Sequence, residues 1–100
     1  MSKVMVSYEV KPEMVEENAR LVRAVYEELA ERRPDGLRYA TFQLDGGARF
    51  VHVASNESGG ENPLLEVQAF RAFLAGVGER CVKAPVTEAL HEVGSYGMWP

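Results

Sequence analysis

Between Pro12 and the stop signal Pro34-Asp35-Gly36, apolar residues recur at the spacing of one helical face. Val15, Ala19, Val22, Tyr26 and Leu29 follow at steps of four and three, while Arg20, Arg23, Glu27, Glu28 and Glu31 lie off that stripe. Proline suits the first helical turn, and Glu13, Glu16 and Glu17 there complement the helix dipole. Arg32 and Arg33 favour the opposite end, and the proline and glycine that follow stop the helix. The predicted helix runs from Pro12 to Arg33. A single amphipathic helix of that length needs a flat apolar partner, and the rest of the chain reads as strands that can supply one.

Lys3 to Val10 alternates with period two: Val4, Val6, Tyr8 and Val10 share one parity, and Lys3, Met5, Ser7 and Glu9 the other. This predicts a strand whose first set faces the helices. Leu37 to Leu44 and Ala48 to Ser55 are predicted strands around Asp45-Gly46-Gly47, a hairpin turn in which glycine supplies positive φ. Asn62-Pro63 reads as the N-cap and first residue of a second helix. Its stripe is Val67, Phe70, Leu74 and Val77, with Phe73 alongside, and it fades at Gly76 and Gly78. Arg80 to Pro85 is expected to connect it to a fourth strand, Val86 to Ser95, before a short tail, Tyr96 to Pro100. The order β-α-β-β-α-β predicts an α+β, ferredoxin-like sandwich: a four-stranded antiparallel sheet with two helices on one face, forming one domain over residues 1–100.

Composition narrows the partners. Of 100 residues, 46% are hydrophobic and 26% charged, values of an ordinary globular chain with one small core. Fifteen acidic and eleven basic side chains give a net charge of −4, which repels a phosphate backbone and argues against nucleic acid. The one cysteine, Cys81, can form neither an internal disulfide nor a thiolate cluster, so a reducing compartment, the cytoplasm, is expected. No apolar run approaches the ~20 residues of a membrane span, and Met1 to Ser7 lacks the apolar core of a signal peptide.

Two helices cover one sheet face, yet the other also reads as apolar. Val51 and Val53 share one parity of the third strand, and Phe50, His52 and Ala54 the other. In the second strand, Arg38, Ala40, Phe42 and Leu44 oppose Leu37, Tyr39, Thr41 and Gln43, and we read the set with Arg38 as helix-facing. A second copy of the chain, packed sheet against sheet, is the simplest cover and predicts a homodimer.

Three stretches resemble the antibiotic biosynthesis monooxygenase family of the dimeric α/β barrel superfamily. Pro34-Asp35-Gly36-Leu37-Arg38-Tyr39 is similar to the family's P-G-x-L-x-Y approach to strand two. Arg49-Phe50-Val51-His52-Val53 is similar to its R-F-V-L-Y strand three, and Ala69-Phe70-Arg71-Ala72-Phe73 to its H-F-x-x-F helix. The resemblance implies a pocket for a small apolar or aromatic molecule between sheet and helices, and oxygenation by O2 with no cofactor. Departures are Ala54-Ser55-Asn56-Glu57, where many members continue to glutamate and tryptophan, and Ala69, where many carry histidine. Those departures leave open a second reading: a non-catalytic ligand-binding or dimeric accessory protein of the same fold.

Oxygenation of this kind asks for a dry pocket and a polar group or base that helps form a substrate anion. His91 and Tyr8 are the candidate catalytic residues. His91 shares the parity of Ala89 and Val93, and Tyr8 that of Val4 and Val6. Arg38, Phe42, Val53, Phe70, Phe73 and Trp99 are the candidate substrate-binding residues. His52, in parity with Phe50 and Ala54, falls on the face assigned to the dimer, and Tyr39 is expected to pack between sheets. The two histidines lack the ligand spacing of a metal site, and Gly46-Gly47 and Gly59-Gly60 lack the pattern of a phosphate loop.

Overall fold

The computed structural model of the chain describes residues 2–45 and 47–98. Strand β1 (Ser2–Val10) is followed by a 3-10 turn at Pro12–Met14 and helix α1 (Val15–Arg32). Strands β2 (Leu37–Leu44) and β3 (Arg49–Asn56) follow. A second 3-10 turn (Pro63–Glu66) leads to α2 (Gln68–Ala75), the one-turn helix α3 (Val77–Arg80) and strand β4 (Cys81–Ala89). The sheet order is β2-β3-β1-β4, and every pairing is antiparallel. This is the ferredoxin-like arrangement expected from the sequence.

Local chemistry sets the boundaries. Helix α1 ends at Arg33, which takes the left-handed conformation (φ 46) while its N–H bonds Leu29 O. Gly36 follows at φ +78, and a Cβ there would lie 2.6 Å from the backbone nitrogen of Ser58. Only glycine fits that crossing of chains. The second helical segment breaks at Val67, which is extended (φ −85, ψ 115). Asn62 Oδ1 accepts from Leu64 N ahead of the break. The Glu28 carboxylate reaches across from α1 to accept from Gln68 N and Ala69 N after it. A carboxylate at a helix N-terminus satisfies free N–H groups and complements the dipole. Those bonds hold the Glu28 carboxyl below its ordinary range, Ala69 N–H contributing most.

The fourth strand begins at Cys81, not Val86, and ends at Ala89, not Ser95. Pro85 made the Arg80–Pro85 stretch read as a connector, but β4 is an edge strand, where a residue without an N–H costs no ladder bond. Its register against β1 shifts between Ser7 and Glu9.

Register also corrects the faces of two strands. Tyr8 opposes Phe50, Val6 opposes His52, Tyr39 opposes Ala54 and Thr41 opposes His52. Directly opposed residues share a face, so Phe50, His52, Tyr39 and Thr41 lie with Tyr8 beneath the helices. Arg38, Phe42 and Val53 lie on the outer face. The core is Tyr8, Val10, Val22, Val25, Phe50, Leu64, Val67 and Phe73.

Candidate functional site

A cavity of about 120 Å³ lies between the sheet and the α2–α3 segment. Val4, Val6, Phe70, Phe73, Leu74 and Val77 supply much of its apolar wall, and Tyr8, Tyr39 and His52 the polar part. Leu74, Asn62 and Pro85, all exposed, mark its mouth. Glu28 fixes the start of α2 and thereby aims Phe70 and Phe73 at the sheet.

His52 is 5% exposed and is held on both ring nitrogens. Its Nε2 lies 2.7 Å from Tyr8 Oη, and its Nδ1 lies 2.6 Å from Tyr39 Oη and 3.1 Å from Thr41 Oγ1. Tyr26 Oη sits 2.7 Å from Thr41 Oγ1. On the other side, Asn18 Nδ2 donates to Tyr8 Oη at 3.0 Å, and Arg80 Nε donates to Asn18 Oδ1 at 3.1 Å. Asn18 is fully buried and Arg80 is 5% exposed. Arg80 also donates to Phe73 O at 2.7 Å and lies over the Phe73 ring. No carboxylate pairs with it among the described residues. A continuous chain of hydrogen bonds thus crosses the domain, Arg80–Asn18–Tyr8–His52–Tyr39.

Burial governs the electrostatics. Removing water disfavours charge, so the His52 imidazolium is pushed down to about 4, and the ring is neutral near pH 7. The Tyr8 hydroxyl is pushed up to about 12 by burial, against the opposing pull of the Asn18 hydrogen bond. Burial raises Tyr39 as well, and the neighbouring Thr41 hydroxyl offsets part of that. Aromatic packing locks the rings: Tyr8 stacks on Phe50 at 5.7 Å, Tyr39 on Tyr26 at 5.3 Å, and His52 meets Phe73 at 5.3 Å.

Of the sequence-predicted residues, Tyr8, Phe70 and Phe73 come together at this cavity. Arg38, Phe42 and Val53 do not: they line a shallow outer-face pocket with Met98. His91 lies past the end of β4 and is exposed, so the expected strand placement that brought it to a pocket is corrected. Trp99 lies outside the described residues. His52 and Tyr39, expected on other packing surfaces, are at the centre. Asn18 and Arg80 were not singled out, although Asn18 interrupts the α1 stripe between Val15 and Val22, a polar residue at a core position. Among the described residues, no group of three or more His, Cys, Asp or Glu is placed to hold a metal ion.

No family model matches the chain, and no curated protein matches it. Solved structures do. A crystal structure named antibiotic biosynthesis monooxygenase is 19% identical, with a TM-score of 0.64 over 94% of this chain and 100% of that one. A protein from Nitrosomonas europaea, provisionally named for the same activity, is 16% identical with a TM-score of 0.73 over 96% and 93%. A conserved protein from Methanosarcina mazei Go1 is 17% identical with a TM-score of 0.71 over 91% of each chain. At such identities the likeness is one of fold: the chain shares the α+β, ferredoxin-like fold of proteins carrying the antibiotic biosynthesis monooxygenase name. No helix among the described residues is long and apolar enough to cross a membrane.

Proposed function

We propose that the chain binds a small, mostly apolar, aromatic molecule in the cavity between sheet and helices and oxidises it with O2, as the family it resembles does. The observation that carries this reading is the cavity itself, an apolar chamber whose polar groups converge from Tyr8, Tyr39 and His52. An apolar cavity of roughly 150 Å³ accommodates one benzene ring, so a chamber of about 120 Å³ with an open mouth suits a single ring, or one ring of a larger molecule. In the simplest balanced reaction, a ring methylene takes one oxygen atom of O2 as a carbonyl, and its two hydrogens leave with the other atom as water. The substrate supplies the electrons, and the protein supplies a dry, oriented site.

A second reading, a non-catalytic ligand-binding protein, is favoured by one specific observation. His52 has both ring nitrogens engaged and is pushed down to about 4 by burial, so it is a poor base near neutral pH. Oxygen consumption with phenolic polycyclic compounds and quinols separates the two. Uptake above the buffer rate, saturating with substrate, is the expected result. Saturable binding with no uptake at high protein concentration leaves the second reading, and no binding at all overturns both.

The working unit in this reading is a homodimer formed through the outer sheet face, placed in the cytoplasm on the strength of its lone cysteine. What supports the dimer is the apolar character of Met5, Ala40, Phe42, Val51, Val53 and Val86 on that face. Phe42 and Val86 are each more than half exposed in the single chain. Closed two-fold pairs are the commonest way such a face is covered.

A further inference from the structure

We infer that the cavity selects neutral aromatic ligands bearing a hydrogen-bond acceptor oxygen, an aryl carbonyl above all, and that the Tyr39 hydroxyl donates to it. The inference rests on the reading that the cavity holds a small aromatic molecule, and it adds what that molecule carries.

Arginine only donates. The atom of Asn18 that accepts from Arg80 Nε is therefore its oxygen, and the amide nitrogen is left to donate to Tyr8 Oη. With the Tyr8 oxygen accepting, the Tyr8 hydrogen needs an acceptor, and His52 Nε2 stands 2.7 Å away. A neutral imidazole that accepts at Nε2 carries its hydrogen on Nδ1. That hydrogen points to Tyr39 Oη at 2.6 Å, with Thr41 Oγ1 at 3.1 Å. Tyr39 thus receives a hydrogen bond, and its own hydrogen can turn either to the neighbouring Thr41 hydroxyl or into the cavity that Tyr39 lines. The opposite tautomer would aim Nε2–H at Tyr8 and take from the Tyr8 hydrogen the one protein acceptor shown for it, leaving it only the apolar cavity, whereas buried polar groups in folded proteins keep their partners.

Every link passes its donor the same way, from Arg80 towards the cavity. Successive hydrogen bonds of one sense polarise each other. Arg80 makes no direct ion pair among the described residues, and only the more distant Glu17 carboxylate feels its charge, so that charge strengthens Tyr39 as a donor. An acceptor oxygen in the cavity completes the chain. A ligand that only donates must share the Tyr39 oxygen with the His52 N–H and forgoes the polarised Tyr39 hydrogen, and a ligand without polar atoms leaves the last hydrogen on Thr41.

Acetophenone and its near-isostere α-methylstyrene, which replaces the carbonyl oxygen by a methylene, test this in the wild type and in Tyr39→Phe. The variant keeps the ring that stacks on Tyr26. The expected result is that the ratio of the two dissociation constants moves about fivefold against acetophenone on losing the hydroxyl. The carbonyl stretch of bound acetophenone is expected to lie below its value in hexane in the wild type and to rise in the variant. A ratio unchanged within twofold, with α-methylstyrene still bound, overturns the inference and leaves the cavity reading standing. Failure of both compounds to bind the wild type overturns the cavity reading beneath it. Independently of any variant at Tyr39, His91→Gln leaves His52 as the one histidine, and its nitrogen NMR shifts report the tautomer. Hydrogen on Nδ1 is expected, and hydrogen on Nε2 overturns the assignment of Tyr39 as the terminal donor.

Discussion

His52 is a histidine held neutral by its surroundings, and that has a price in acid. Its imidazolium sits at about 4 in the folded chain against an ordinary 6.5. The unfolded chain therefore takes up a proton between those values that the folded chain refuses. Stability from this group is complete above pH 6.5 and falls as the pH drops towards 4. The loss amounts to roughly 3 kcal/mol at most, from the 1.36 kcal/mol that each pKa unit represents. Urea unfolding at pH 7 and pH 4.5 checks this. Carboxylates such as Glu28 also weaken the fold in acid, so the comparison is with His52→Gln, which should lose less stability than the wild type over the same interval. Equal losses would mean that the imidazole is not the titrating group. The site residues were unevenly legible at this scale. Tyr8 follows from clean alternation in Val4, Val6, Tyr8 and Val10. Arg80 does not, because its burial depends on α3 turning its side chain under Phe73 towards Asn18, a tertiary arrangement with no local pattern.

Elements show where sequence patterns decide and where they fail. The α1 stripe and the β1 alternation each have one apolar face, so their orientation is readable. Strands β2 and β3 are apolar on both faces: Phe50, His52 and Ala54 compete with Val51 and Val53, and Tyr39 with Ala40 and Phe42. Period-two reasoning then has no polar side to choose, and register against β1 decides instead. The misplaced start of β4 has a separate cause, since Pro85 is a breaker in a central strand and harmless on an edge. Gly36 is an element-scale constraint that the sequence did mark, as the last residue of Pro34-Asp35-Gly36. Gly36→Ala is expected to destabilise by on the order of 1–3 kcal/mol, through both its positive φ and its contact with Ser58. Gly59→Ala is the control, because Gly59 has a similar φ of +79 but nothing within 4 Å of the added methyl. Equal shifts of the urea midpoint would remove the close contact as a cause.

At the scale of the whole molecule, the element order alone carried the fold, because a β-α-β-β-α-β chain with two amphipathic helical segments has few ways to bury them. Light scattering at micromolar concentration is expected to give about twice the 11.1 kDa of one chain, and Phe42→Glu, which puts a charge on the outer face, should return it to the single-chain mass. A wild-type mass of one chain would remove the dimer. The buried hydrogen-bonded chain has a consequence for how this fold is reached. Arg80, Asn18, Tyr8, His52 and Tyr39 come one each from α3, α1, β1, β3 and β2. A slip of β3 by one residue would turn the imidazole to the opposite side and put Val51 or Val53 in its place opposite Val6, leaving the Tyr8 hydrogen without its acceptor and Tyr39 without its imidazole partner away from water. A slip by one residue exchanges the two faces of a strand, and in β3 both faces carry apolar residues, so hydrophobic burial alone penalises the exchange little. The polar chain therefore proofreads an assembly that hydrophobic packing alone would leave ambiguous, accepting the one alignment in which five separate segments arrive together.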